Sequence, residues 1–149
     1  MVAAFILFPM RVIAGTYRSR PLAAPSGLST RPTSDRLRET LFNVLAPRIQ
    51  GAKFLDLYAG SGAVGIEAIS RGAARVAFVE RAAPVLKVLR ANLDRLGITR
   101  DFRIHSGSVV SFLRGPRSCA SEFSIVFLDP PYDASDEYAA VLALLGGES

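Results

Sequence analysis

The chain of 149 residues has one cysteine, Cys119, and one histidine, His105. A single thiol excludes an internal disulfide, and one imidazole beside it provides no ligand set for a zinc cluster, so a reducing, cytoplasmic setting is expected. His105 has no evident partner in sequence and reads as a polar residue at a strand end. No apolar run is long enough to span a bilayer. The opening stretch from Met1 to Pro9 is apolar, but it lacks a basic leader and a small-residue cleavage site, and it is far shorter than the roughly 20 residues of a membrane helix. Internal repeats and low-complexity segments are also missing. What remains is a folded chain the size of one domain, 50% apolar and 21% charged, with no membrane partner expected.

Lysine is scarce, and arginine outnumbers it sixteen to two. The arginines are unevenly placed. Residues 11–38 hold six of them, Arg11, Arg18, Arg20, Arg31, Arg36 and Arg38, against the single acid Asp35, a balance of +5. Residues 39–149 hold twelve basic and twelve acidic residues. The planar guanidinium fork suits bidentate contacts to phosphate, so a polyanion is a candidate partner of the N-terminal segment.

Three segments follow. Because Met10-Arg11-Val12-Ile13 makes a natural strand start, residues 1–9 read as an extension, tag-like or misassigned. Residues 10–50 read as a basic hairpin and helix: strand-like residues from Arg11 to Leu22 turn at Gly15-Thr16, and a Pro/Gly/Ser loop spans Pro21–Pro32. Ser34 then caps a helix with Leu37, Leu41, Val44 and Leu45 at helical spacing, and Pro47 ends it. Residues 51–149 alternate strand and helix: strand Phe54–Tyr58, helix Val64–Arg71, strand Val76–Glu80, and a helix striped by Val85, Leu86, Leu89, Leu93 and Leu96 and closed by Gly97. Strand Phe102–His105, helix Val109–Leu113, strand Ile125–Asp129 and helix Glu137–Leu145 complete it. Strict alternation implies a parallel, doubly wound α/β sheet with right-handed crossovers. Four strands are visible where a complete nucleotide-binding sheet has about six, so the sheet reads as lacking its C-terminal strands.

Gly60, Gly62 and Gly65 fit G-x-G-x-x-G between the first strand and its helix, and Glu80 follows Gly60 by twenty residues at the tip of the next strand. Glycines let the backbone turn and approach a ligand, and an acid at that place accepts both hydroxyls of a ribose. Asp56, beside the loop, would repel a pyrophosphate yet could hold the ammonium of a methionine moiety, directly or through water. That favours S-adenosylmethionine over a dinucleotide.

The fourth strand ends in Asp129-Pro130-Pro131-Tyr132. The lone pair of an exocyclic amino nitrogen is delocalised into its base, and two acceptors gripping the amino hydrogens turn it outward. Asp129 supplies one acceptor and the Pro130 carbonyl another. Consecutive prolines hold these oxygens rigidly, and Tyr132 offers a face on which an extruded base can stack.

These residues and their neighbours resemble the RsmD family of bacterial small-subunit ribosomal RNA guanine-N2 methyltransferases. The resemblance runs from Met10-Arg11-Val12-Ile13-Ala14-Gly15 through Arg31–Asn43, Leu55–Ala68, Ser70–Ala74, Phe78-Val79-Glu80 and Asp129–Tyr132. Arg31–Asn43 makes it specific, since the other motifs are shared by many amino methyltransferases. It implies a Rossmann-like enzyme, working as a monomer, that methylates one guanine of 16S rRNA in the small subunit or its assembly intermediate. Asp56, Tyr58, Gly60, Ser61, Gly62 and Glu80 would bind S-adenosylmethionine, and Asp129, Pro130, Pro131 and Tyr132 would hold the guanine. Arg11, Arg18, Arg20, Arg31, Arg36 and Arg38 would meet phosphates. Many methyltransferases carry an acid after the third strand to read adenine; here that place is Gly107-Ser108, where Ser108 offers a hydroxyl or a backbone contact. The rival readings are a DNA amino methyltransferase and a non-catalytic RNA-binding module.

Overall fold

The computed structural model describes residues 10–25, 34–115, 120–131 and 134–147. Arg31, Cys119, Tyr132 and the 1–9 extension lie outside the described residues. In chain order the elements are α1 (Asp35–Ile49), β1 (Lys53–Leu57), α2 (Ala63–Ser70), β2 (Arg75–Glu80), α3 (Ala83–Leu96), β3 (Phe102–Ser106), α4 (Val109–Arg114), β4 (Ile125–Leu128) and α5 (Ser135–Leu145), with a 3-10 turn at Ala120–Glu122 before β4. Among the described residues no helix is long and apolar enough to cross a membrane.

The strands form one parallel sheet in the order β3-β2-β1-β4. The order reverses between β1 and β4, so the ligand crevice of such a sheet lies beyond the carboxyl ends of these two strands. Alternation along β1 divides the core. Phe54 faces a cluster with Val64, Ile66 and Ala68 of α2, Leu86, Leu89, Leu93 and Leu96 of α3, and Phe42 and Ile49 of α1. Leu55 and Leu57 face a smaller cluster with Val109 and Phe112 of α4 and Val141 of α5. His105 packs its ring against Phe112 with centroids 5.0 Å apart, a strand-end role.

α1 departs from expectation in two ways. Pro47 lies inside the helix, which continues to Ile49. The proline costs the one bond its N–H would have given to the Asn43 carbonyl, and the helix ends two residues later. The buried face is also shifted: Leu41 and Leu45 pack half-buried against the core as expected, but Leu37 and Val44 are 58% and 74% exposed, while Arg38, Phe42 and Ile49 are buried. Phe42 stacks on Phe54 at 6.1 Å, and Arg71 lies over its ring at 5.1 Å. Aromatic packing and the needs of Arg38 thus outweigh the aliphatic spacing.

Residues 10–25 form a strap across α2. Only one antiparallel bridge, Arg11 with Pro21, is made, backed by Val12 N–H to the Arg20 carbonyl at 3.0 Å and Leu22 N–H to the Met10 carbonyl at 2.7 Å. The strap explains the composition of α2, which is apolar on nearly every side because both the sheet and the strap cover it. Its two polar residues, Glu67 and Ser70, are buried and serve the strap's backbone. Glu67 Oε1 accepts the Ile13 N–H at 2.8 Å and Oε2 the Ala14 N–H at 3.1 Å. Ser70 Oγ accepts the Tyr17 N–H at 2.9 Å and donates to the Ala14 carbonyl at 2.6 Å. At Gly15 a Cβ would sit 1.9 Å from the Ser70 carbonyl oxygen, so only glycine lets the strap lie this close.

Glu67 is wholly buried and also holds Arg71 Nε at 2.8 Å, with Arg38 Nη1 at 3.8 Å. Removing it would leave two strap N–H groups and the Arg71 guanidinium without their carboxylate and Arg38 with the Asp35 carboxylate alone. Glu67→Ala should therefore destabilise the fold by about 3–5 kcal/mol, measured by urea unfolding; a loss below about 1 kcal/mol would contradict this role.

Candidate active site

The crevice is built from three strand ends. Leu57 of β1 pairs with Leu128 of β4, so Tyr58 and Asp129 leave the sheet side by side, and Leu57 also pairs with Val79 of β2, which brings in Glu80. The loop from Tyr58 to Gly62 turns back through left-handed backbone, with φ of 58° at Tyr58, 58° at Gly60 and 86° at Gly62. At Tyr58 that φ breaks the strand's alternation and sends the ring to the α4–α5 side of the sheet. Its hydroxyl is buried there beside the Glu137 carboxylate. Burial, and secondly the nearby Glu137 carboxylate, push its pKa up to about 12.

The glycines have separate reasons. Gly62 caps α2 in left-handed backbone, and a Cβ there would fall 2.2 Å from Leu89 Cδ1. Gly65 lies within α2, where a Cβ would fall 2.3 Å from the Phe78 ring. At Gly60 a Cβ would meet nothing within 4 Å, so the loop's outer surface is open to a ligand at that point.

Glu80 stands opposite Gly60. Its Oε1 accepts the Gly60 N–H at 3.1 Å, and Oε2 accepts the N–H groups of Arg81 at 2.8 Å and Ala82 at 2.9 Å. Three backbone donors fix the carboxylate, two on Oε2 and one on Oε1, so Oε1 retains lone-pair capacity for a ribose hydroxyl. Asp56 is 1% exposed and accepts the Gly65 N–H at 2.9 Å. Burial pushes its pKa up to about 7; the Gly65 N–H opposes that, and the carboxylates of Glu80 and Asp129 add to it. Asp56, Glu80 and Asp129 therefore share one field that favours a cation and opposes a pyrophosphate. These features fit the nucleoside and the ammonium of S-adenosylmethionine.

Ser61 is buried, with its hydroxyl turned to Met10 Sδ at 4.0 Å; its side chain serves the strap. Ser108 caps α4 by accepting the Ser111 N–H at 3.0 Å, which leaves its hydroxyl proton available to donate.

Asp129 and Pro131 are exposed at the crevice and Pro130 is half-buried. The Pro131 carbonyl accepts the Ala134 N–H at 3.1 Å and is committed to the turn into α5. Pro130, Pro131, Ala134, Ser135 and Tyr138 line a mainly apolar cavity of about 280 Å³. Tyr138, 41% exposed, was not anticipated. Its signal in the sequence is an aromatic six residues beyond Tyr132, on the first turn of the next helix.

Of the arginines, Arg11, Arg18, Arg20 and Arg36 are exposed. Arg11 and Arg18 converge, with Asp35 and Glu39, on a cavity of about 250 Å³, a mixed-sign surface rather than a purely basic one. Arg20 Nη2 donates to the Arg95 carbonyl at 3.0 Å. Arg38 does not join this surface. It is fully buried, pairs with Asp35 and Glu67, and donates to the Arg11 carbonyl at 2.8 Å, so it cannot reach a phosphate. Its role is to tie α1 to the strap. Glu67, Ser70 and Asn92 were missed as well; Asn92 stands out in the sequence only as a polar residue on the Leu89–Leu93–Leu96 stripe.

The family model described as conserved hypothetical protein 95 matches residues 10–149. The chain is 43% identical over 123 residues to Ribosomal RNA small subunit methyltransferase D of Escherichia coli K12, covering 83% of this chain and 60% of that protein. It is 41% identical over 124 residues to the protein of the same name from Haemophilus influenzae, covering 83% and 64%. The chain thus spans less than two thirds of these curated relatives. The solved structure of the Escherichia coli protein yhhF superposes with a TM-score of 0.80 at 41% identity, covering 93% of this chain and 73% of that one.

The sign of the Asp56 shift makes a test. A carboxyl whose folded pKa is raised from 3.8 to about 7 contributes stability that is complete below about pH 4 and lost as pH rises through 7. Asp56→Asn keeps an oxygen for the Gly65 N–H and cannot ionise. Its melting temperature relative to wild type should climb between pH 5 and pH 8, at about 2–4 °C per kcal/mol; a pH-independent difference would count against the buried acid.

Proposed function

The chain belongs to the RsmD family, whose model is described as conserved hypothetical protein 95, and on that premise we propose that it methylates the exocyclic N2 amino group of a guanine in small-subunit ribosomal RNA. The observation that carries this reading is the convergence of Asp56, Glu80 and Asp129 around an open glycine loop at the sheet's switch point. S-adenosylmethionine, when bound there, supplies an electrophilic methyl group on a sulfonium.

The chain's own residues do the placing. Glu80 accepts from a ribose hydroxyl through Oε1, Gly60 lets the ligand approach the backbone, Gly62 makes the turn into α2, and Asp56 in its ionised form holds the ammonium. Tyr58 and Ser61 position the loop from behind, and Ser108 donates toward the base of the nucleoside. Asp129 and the Pro130 carbonyl accept the two hydrogens of the target amino group, turning its lone pair out of the ring. Pro131 locks the segment through its bond to Ala134. Tyr132 stacks on the extruded base, where a base–aromatic contact contributes about 1–3 kcal/mol, and Tyr138 walls the cavity beside Pro130 and Pro131.

Residues 10–50 face the RNA and residues 51–149 carry the transfer. Arg11, Arg18, Arg20, Arg31 and Arg36 meet phosphates and orient the particle without reading sequence. The enzyme works as a monomer in the cytoplasm on the small subunit or its assembly intermediate.

Asp129→Ala removes one of two acceptors and leaves Asp56 and Glu80 in place. Transfer to ribosomal RNA should fall by at least about 100-fold, while calorimetric affinity for S-adenosylmethionine changes by less than about threefold. Methylation near the wild-type rate in this variant would sink the mechanism.

A further inference from the structure

Asn92 of α3 is 1% exposed and touches two functional segments at once. Its Oδ1 accepts the Ala23 N–H at 2.8 Å, and its Nδ2 donates to the Ala23 carbonyl at 2.9 Å and to the Ser61 carbonyl at 2.9 Å. The Ala23 N–H requires an acceptor opposite it, which fixes the orientation of the amide. One side of Asn92 therefore binds the strap as a neighbouring β-strand would, and the other holds the turn Gly60-Ser61-Gly62. The same turn meets the strap again through Ser61 Oγ and Met10 Sδ at 4.0 Å.

We infer that Asn92 is a positioning residue that couples cofactor occupancy of the glycine loop to the docking of the strap at residues 20–25, and so to the arginines that meet RNA. This rests on the cofactor reading above. A ligand that holds Ser61 in place keeps its carbonyl over Nδ2, and an amide held on that side loses less freedom in closing both bonds to Ala23. The Asn92 side chain is itself buried, so when its bonds open water replaces them only in part, on the half-exposed Ala23 side, and loop and strap favour being ordered together. Such coupling is reciprocal: RNA on the strap tightens the cofactor by the factor with which the cofactor tightens the strap, ordinarily about 5–150-fold.

The test is amide hydrogen exchange on the full chain with and without S-adenosylhomocysteine, with calorimetry on the same samples. In wild type, the analogue should slow exchange at Leu22 and Ala23 by at least about fivefold. Asn92→Leu removes the amide at similar volume, and Asn92→Asp keeps the acceptor for Ala23 N–H while losing both donated bonds. Both should still bind the analogue but lose the ligand-dependent protection, an effect that a merely structural role would not produce. Should one variant fail to fold, the other and the wild-type comparison decide. Binding without protection in wild type, or protection retained in the variants, overturns the coupling alone; no binding heat overturns the cofactor reading and the coupling with it.

Discussion

A buried carboxylate, Glu67, fastens the strap and α1 to α2. It collects the N–H groups of Ile13 and Ala14 and the guanidinium of Arg71, with Arg38 close by. Burying a charge is costly unless donors surround it, and here the donors come from the strap and from Arg71 at the end of α2, with the Arg38 charge of α1 close by. Much else depends on that arrangement. α2 can be apolar all round because the strap covers it, and Arg38 can be buried because Glu67 and Asp35 receive it. Gly15 is required because the strap must lie within van der Waals distance of Ser70.

The same helix carries the glycine loop at its N-terminus. The element that fastens the arginine-bearing strap is thus continuous with the loop that shapes the crevice. Backbone amides set the crevice's geometry: three of them fix Glu80 and one fixes Asp56. Its electrostatics centre on Asp56, whose carboxyl is held toward protonation first by burial and then by the charges of Glu80 and Asp129, a state that a cationic ligand reverses. Asp129, at the end of the neighbouring parallel strand, stands beside that charge.

Much of this was legible in the residues. Alternating apolar runs announced the parallel sheet, and the loop with Asp56 and Glu80 announced the crevice, because backbone turns and strand tips leave local signatures. Asp129-Pro130-Pro131 was legible for the same reason. The N-terminal segment was harder to read. Six arginines looked like one basic surface, but Arg38 folds inward, since partners such as Glu67, 29 residues away, leave no local trace. Leu37 and Val44 looked like a core stripe and are exposed, because aromatic packing of Phe42 on Phe54 chose the other face. Asn92 sat unnoticed on an apolar stripe, as buried polar residues do until their long-range partners are known.

Guanine, among the bases with exocyclic amino groups, is the claim furthest from local chemistry and the one most directly measured. Small-subunit particles lacking the modification would be incubated with the protein and labelled S-adenosylmethionine, and the RNA digested to nucleosides and mapped. The account predicts label in N2-methylguanosine at one position of the small-subunit RNA. Label in adenine or cytosine, or preferential methylation of duplex DNA, would contradict it.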